Sequence, residues 1–101
     1  MRVLQGILSE SKEYYQDIKK KIIKKLLALP KGSVKERVIA GKRYYYLQYR
    51  KAEKVVHEYL GKQKPEILYK QIKERGMLKD ELRKVNEALK IIRRSEGRNH
   101  V

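Results

Sequence analysis

The chain has 101 residues, of which 27 are Lys or Arg and 12 are Asp or Glu, for a formal net charge of +15 and a sequence pI of about 10.1. That length gives one domain over residues 1–101 with a modest core, and the lack of cysteine excludes a disulfide framework and a thiolate metal site. So basic a balance asks for an anionic partner, with nucleic acid ahead of a membrane surface.

The opening Met-Arg-Val-Leu-Gln-Gly-Ile-Leu-Ser is interrupted at Gln5 and Gly6 and makes a poor secretory leader. No apolar run approaches the roughly 18 residues of a membrane span, so a cytoplasmic protein in a reducing compartment is expected. Leu4, Leu8, Tyr15, Ile18, Ile22, Leu26 and Leu29 recur at helical spacing, and Lys19, Lys20, Lys21, Lys24 and Lys25 lie mostly off that stripe. The pattern predicts an amphipathic helix within residues 1–30, ended by Pro30. Its start is either an N-cap at Ser9 or Ser11, with Glu10 and Glu13 in the first turn, or a point near Val3 with Gly6 inside the helix. The lysine-rich stretch could lie on an anionic membrane. The sheet and the last helix both need apolar cover, which favours packing within the protein.

Lys31-Gly32-Ser33 is the exit turn. Val34–Ile39 reads as a strand, Ala40-Gly41-Lys42 as a turn, residues 43–50 as a second strand, Lys51-Ala52-Glu53 as a connection and Lys54–Leu60 as a third strand closed by Gly61. Three strands joined by short turns predict an antiparallel meander over residues 33–61. The middle strand is the most informative segment. Arg43-Tyr44-Tyr45-Tyr46-Leu47-Gln48-Tyr49-Arg50 holds four of the eight tyrosines, in a chain with neither Phe nor Trp. Alternation places Tyr45, Leu47 and Tyr49 on one face and Tyr44, Tyr46, Gln48 and Arg50 on the other. With loops at Gly41-Lys42 and Lys51-Ala52-Glu53, the first face gains Val34, Val38, Val55, His57 and Tyr59 as core. The second gains Lys35, Arg37, Ile39, Lys54, Val56, Glu58 and Leu60.

After Lys62-Gln63-Lys64, Pro65 and Glu66 open a last helix over residues 65–94. Leu68, Ile72, Leu78, Leu82, Val85, Leu89 and Ile92 form its stripe, and from Leu78 onward the steps alternate four and three, as in a heptad seam. Gly76 either breaks this helix or is tolerated inside it. Asp80 precedes Lys84, and Glu87 precedes Lys90, on the exposed side. The seam predicts Leu82, Val85 and Leu89 buried, against the first helix, the sheet or a second copy of the chain. Residues 95–101 read as a frayed tail. The fold class is therefore α+β: N-terminal helix, three-stranded antiparallel meander and long C-terminal helix.

Charge is concentrated in the meander, where residues 31–64 hold 10 bases and 3 acids, net +7; residues 1–30 and 65–101 each carry +4. Lys and Arg neutralise phosphates, Arg and Gln read base edges, and aromatic rings stack on bases or pack on sugars. The expected contact residues are Arg37, Arg43, Tyr44, Tyr46, Gln48, Arg50 and Lys54, with Lys35, Lys42 and Lys51 on phosphates. The expected function is non-enzymatic nucleic-acid binding, with DNA ahead of RNA. The alternative is a protein-interaction module, such as an element-encoded inhibitor of a nucleic-acid-processing enzyme, that meets an acidic or nucleic-acid-bound protein.

No Gly-rich phosphate loop, nucleophile elbow or paired-carboxylate constellation is present. A tyrosine nucleophile of strand transfer would need several positioned bases and an acid–base partner that so short a chain lacks. No cofactor and no metal are expected: His57 reads as a core histidine and His100 lies in the tail, with no recognised ligand spacing.

Leu29-Pro30-Lys31-Gly32-Ser33, Gly41 to Arg50, Lys54-Val55 and Tyr59-Leu60-Gly61-Lys62 resemble a family of small uncharacterised prokaryotic domains. Its members share the tyrosine strand, a short turn, a Tyr-x-Gly-Lys strand end and a charged helix, over roughly residues 29–94 here. The family implies no function, although it fits a prokaryotic, viral or mobile-element source. Lys51-Ala52-Glu53 stands where that pattern has a Gly-containing turn. More loosely, a three-stranded sheet followed by a helix is similar to plant-type and integrase arm-type DNA-binding domains, a likeness of fold alone.

Overall fold

The computed structural model describes residues 2–98, and side chains from residue 6 to residue 97. The order is α1 (Arg2–Ala28), β1 (Ser33–Ile39), β2 (Lys42–Lys51), β3 (Lys54–Gly61) and α2 (Glu66–Arg98), an α+β fold with an antiparallel sheet ordered β1-β2-β3. α1 starts at Arg2 with Gly6 inside it and no acid in its first turn, so neither serine caps it. α2 runs through Gly76 and continues to Arg98, four residues past the expected end; the isolated glycine costs only about 1 kcal/mol within so long a helix. Leu4 and His100 lie outside the described side chains.

The described residues group into two compact units, 29–76 and the combination of 2–28 with 77–98. In the helical unit, Ile22 and Leu26 of α1 and Leu78, Val85 and Ile92 of α2 are buried. The three α2 residues are seven apart, so they form one seam. Leu82 and Leu89 flank it and are half-buried rather than central. The Lys12 ammonium lies 3.3 Å from the Glu96 carboxylate, while Lys19 shares a hollow with Asn86, Leu89 and Arg93. Rising numbers in α1 meet falling numbers in α2, so the helices run antiparallel and the seam is filled from within the chain. The ion pair formed at the exposed side is Asp80–Arg83, one residue closer than the Asp80–Lys84 spacing.

In the sheet unit, Ile39 pairs with Lys42 across Ala40-Gly41, both at positive φ (52° and 76°). Positive φ at both central residues twists a two-residue hairpin to match its strands. The second hairpin is also two residues long: Lys51 pairs with Lys54 across Ala52-Glu53, and Ala52 takes φ 56°. An alanine thus accepts the left-handed conformation where a glycine was expected.

This shorter turn reverses the assignment of β3. Tyr46 pairs with Tyr59, Gln48 with His57 and Arg50 with Val55, so Val55, His57 and Tyr59 share the face of Tyr44 and Tyr46. Val56 and Glu58 move to the face of Tyr45, Leu47 and Tyr49, together with Lys54. His57 is exposed and is not a core residue. One loop residue is enough for the reversal because side chains alternate with period two. A bulge follows, with Tyr46 opposite Tyr59 and Tyr45 opposite Gly61, leaving Leu60 as the extra residue.

Tyr45 is the buried centre of its face at 6% exposure. Glu36, its partner on β1, lines a cavity with Lys64, Glu66, Tyr69 and Lys70, so the first turns of α2 lie over this inner face. The opposite, outer face carries Tyr44, Tyr46 and Tyr59.

Gly32 ties the exit turn to β2. Its φ is +113°, and a Cβ there would sit 2.4 Å from the Gln48 carbonyl oxygen and 3.0 Å from the Tyr49 Cβ. Gly32→Ala should therefore lower stability by roughly 1–3 kcal/mol or more, and by more than Gly41→Ala, where a Cβ meets open space. Thermal melts of the two variants check this; a Gly32→Ala protein that melts with the parent would refute the close approach.

Candidate nucleic-acid interface

The register sorts the predicted contact residues into two groups. Lys35 opposes Tyr46, Arg37 opposes Tyr44, and Ile39 opposes Lys42, which places Lys35, Arg37, Lys42, Tyr44, Tyr46, Gln48 and Arg50 together on the outer face. Arg43, Lys51 and Lys54 fall on the inner face. Arg43 pairs across the sheet with Val38, and its Nε lies 3.2 Å from the Glu36 carboxylate. Lys51 and Lys54 oppose each other at the hairpin tip. Seven of the ten predicted residues thus form one surface and three do not.

That surface has an aromatic centre. Tyr59 packs edge-to-face on Tyr46, with ring centroids 5.5 Å apart at 90°, and lies 6.3 Å from Tyr44. Such pairs hold their rings in defined orientations. The Arg37 guanidinium lies over the Tyr46 ring, 5.1 Å from its centroid, and the Lys62 ammonium lies 5.9 Å from that of Tyr44. These cation–π contacts hold the bases above the rings instead of letting them sweep through solvent. Tyr44, Tyr46 and Gln48 are half-buried, and Tyr59 is the most open ring of the cluster at 49% exposure.

Charge is segregated between the faces. Lys35, Arg37, Lys42 and Arg50 rim the tyrosines, and among the described residues no strand position of the outer face holds a carboxylate. Both strand acids, Glu36 opposite Tyr45 and Glu58 opposite Leu47, are on the inner face; Glu53 sits in the turn. The outer face can therefore attract phosphates without internal competition, while its rings and guanidinium offer flat surfaces to bases.

Tyr59, His57, Val55 and Lys62 were absent from the predicted contact set. The signal that could have found them is the length of the second turn: Ala52-Glu53 alone, in place of three residues, puts Tyr59 opposite Tyr46. Among the described residues no His, Cys, Asp and Glu group could hold a metal ion, and no helix is long and apolar enough to cross a membrane.

No curated protein and no solved structure matches the chain. A family model described as a domain of unknown function, DUF6788, matches residues 11–70, a span from α1 through all three strands into the start of α2. With well over half its length inside that match, the chain belongs to the DUF6788 family.

Proposed function

We propose that this protein is a non-catalytic nucleic-acid-binding protein, with DNA as its polymer and the outer face of the sheet as its contact surface. The observation that carries this reading is the segregation of charge: four strand cations around a tyrosine cluster, with the strand carboxylates turned to the opposite face. Lys35, Arg37, Lys42 and Arg50 neutralise phosphates, and Lys62 lies at the edge of the same surface. The tyrosines and Gln48 meet sugars and bases.

A salt titration of binding tests the reading. If the four strand cations each neutralise one phosphate, log K falls linearly with log salt, with a slope of about −3 to −4, depending on the form of DNA. Binding to duplex or single-stranded DNA should be measurable at about 50 mM salt, where even non-specific basic binders bind. A protein that binds neither form at that salt is not a DNA-binding protein. The 260/280 nm absorbance ratio of the purified protein before and after a high-salt wash gives the same answer for material carried from the cell.

A further inference from the structure

We infer that the outer face binds unpaired rather than duplex DNA, with Tyr59 as the residue on which a base stacks. The inference rests on the nucleic-acid-binding reading above and specifies its ligand.

The aromatic rings stand at the centre of the face and the cations around it. A duplex keeps its base faces stacked inside the helix and offers only edges and backbone, so a central tyrosine cluster has little to recognise there. An unpaired strand exposes the π-face of each base, and aromatic rings flanked by cations match that pattern. Tyr59 is the natural stacking residue because it projects most: it stands edge-to-face against Tyr46 and is 49% exposed, whereas Tyr44 and Tyr46 are half-buried beside it. Arg37 supplies a second flat group, since its guanidinium already lies over Tyr46 on the strand pair beside β3. A guanidinium plane stacks on a base much as a ring does.

The test compares the whole protein on oligo-dT of about 16 nucleotides, oligo-U of the same length and a duplex of the same length, with Tyr59→Leu and Tyr59→Phe beside the parent. Oligo-dT should bind at least about 5-fold tighter than duplex, the worth of one stacked base. Tyr59→Leu keeps an apolar side chain for the fold and removes the ring. It should weaken oligo-dT binding about 5- to 150-fold without changing the salt slope, whereas Tyr59→Phe should bind like the parent. Thermal melts of both variants establish that the fold is retained.

Duplex binding equal to or tighter than oligo-dT overturns the inference, as does a folded Tyr59→Leu protein that binds oligo-dT like the parent. Tighter binding of oligo-U overturns the choice of DNA as the polymer. Each of these leaves the nucleic-acid-binding reading standing, because the protein still binds. Failure to bind any of the three polymers defeats that reading, and the inference with it.

Discussion

Replacing Lys35, Arg37, Lys42 and Arg50 together by alanine should weaken nucleic-acid binding about 600- to 4,000-fold at about 0.1 M salt and leave the protein folded. The magnitude follows from counterion release: each phosphate that is no longer neutralised takes about 0.7–0.9 from the salt slope, hence a similar amount from log K for each decade below 1 M salt. All four residues are exposed, and surface substitutions away from caps and strained backbone usually stay within about 0.5 kcal/mol each. The matching control is a triple variant of Arg43, Lys51 and Lys54, which removes three charges from the inner face. If the outer face is the contact surface, the triple variant keeps most of the affinity and slope. If only net charge matters, the two variants lose affinity in proportion to the charges removed, and the assignment of a face is wrong. The comparison needs only binding isotherms at several salt concentrations.

Tyr45→Ala should be the most damaging of the tyrosine truncations, costing about 3–5 kcal/mol by analogy with other large buried side chains. Tyr45 is 6% exposed on the face that the start of α2 covers. Removing it leaves a cavity that backbone on both sides holds open, because β2 is the central strand and pairs with β1 and β3 alike. Against a typical total stability of about 5–15 kcal/mol, such a loss would lower Tm by more than about 12 °C. Tyr44→Ala and Tyr46→Ala should cost less, because both rings already reach solvent, and should act on binding instead. Differential scanning calorimetry of the three variants settles the order. A Tyr46→Ala protein less stable than Tyr45→Ala would mean that the core lies on the other face.

Local sequence was sufficient for the elements. Proline at residue 30, a helical apolar stripe before and after the strands and a segment of alternating tyrosines prescribe helix, meander and helix, because periodicity and backbone restriction act within a few residues. The same alternation separates Tyr45 from Tyr44 and Tyr46. The first hairpin was legible as a glycine-bearing turn, but its loop is Ala40-Gly41 rather than Gly41-Lys42; the pairing shifts by two residues, an even number, so Lys35 and Arg37 keep the face of Tyr44 and Tyr46.

What the sequence left open turns on relations between distant segments. Whether Ala52 would accept a positive φ decides between a two-residue and a three-residue turn, and that choice decides on which face the whole of β3 presents its side chains. An alanine gives no local sign of it, since the cost of a left-handed φ is recovered only through the strand pairing that the tight turn permits. Tyr59 and His57 therefore join the outer face through pairings between strands rather than through any neighbour in the chain, whereas the place of Arg43 beside Tyr45 and against Glu36 already follows from the alternation along β2. The heptad seam likewise named its own residues but not its partner. Only the packing of α1 against residues 77–98 showed that Leu78, Val85 and Ile92, rather than Leu82 and Leu89, sit at its centre, because burial along a helix depends on the angle from which another helix approaches.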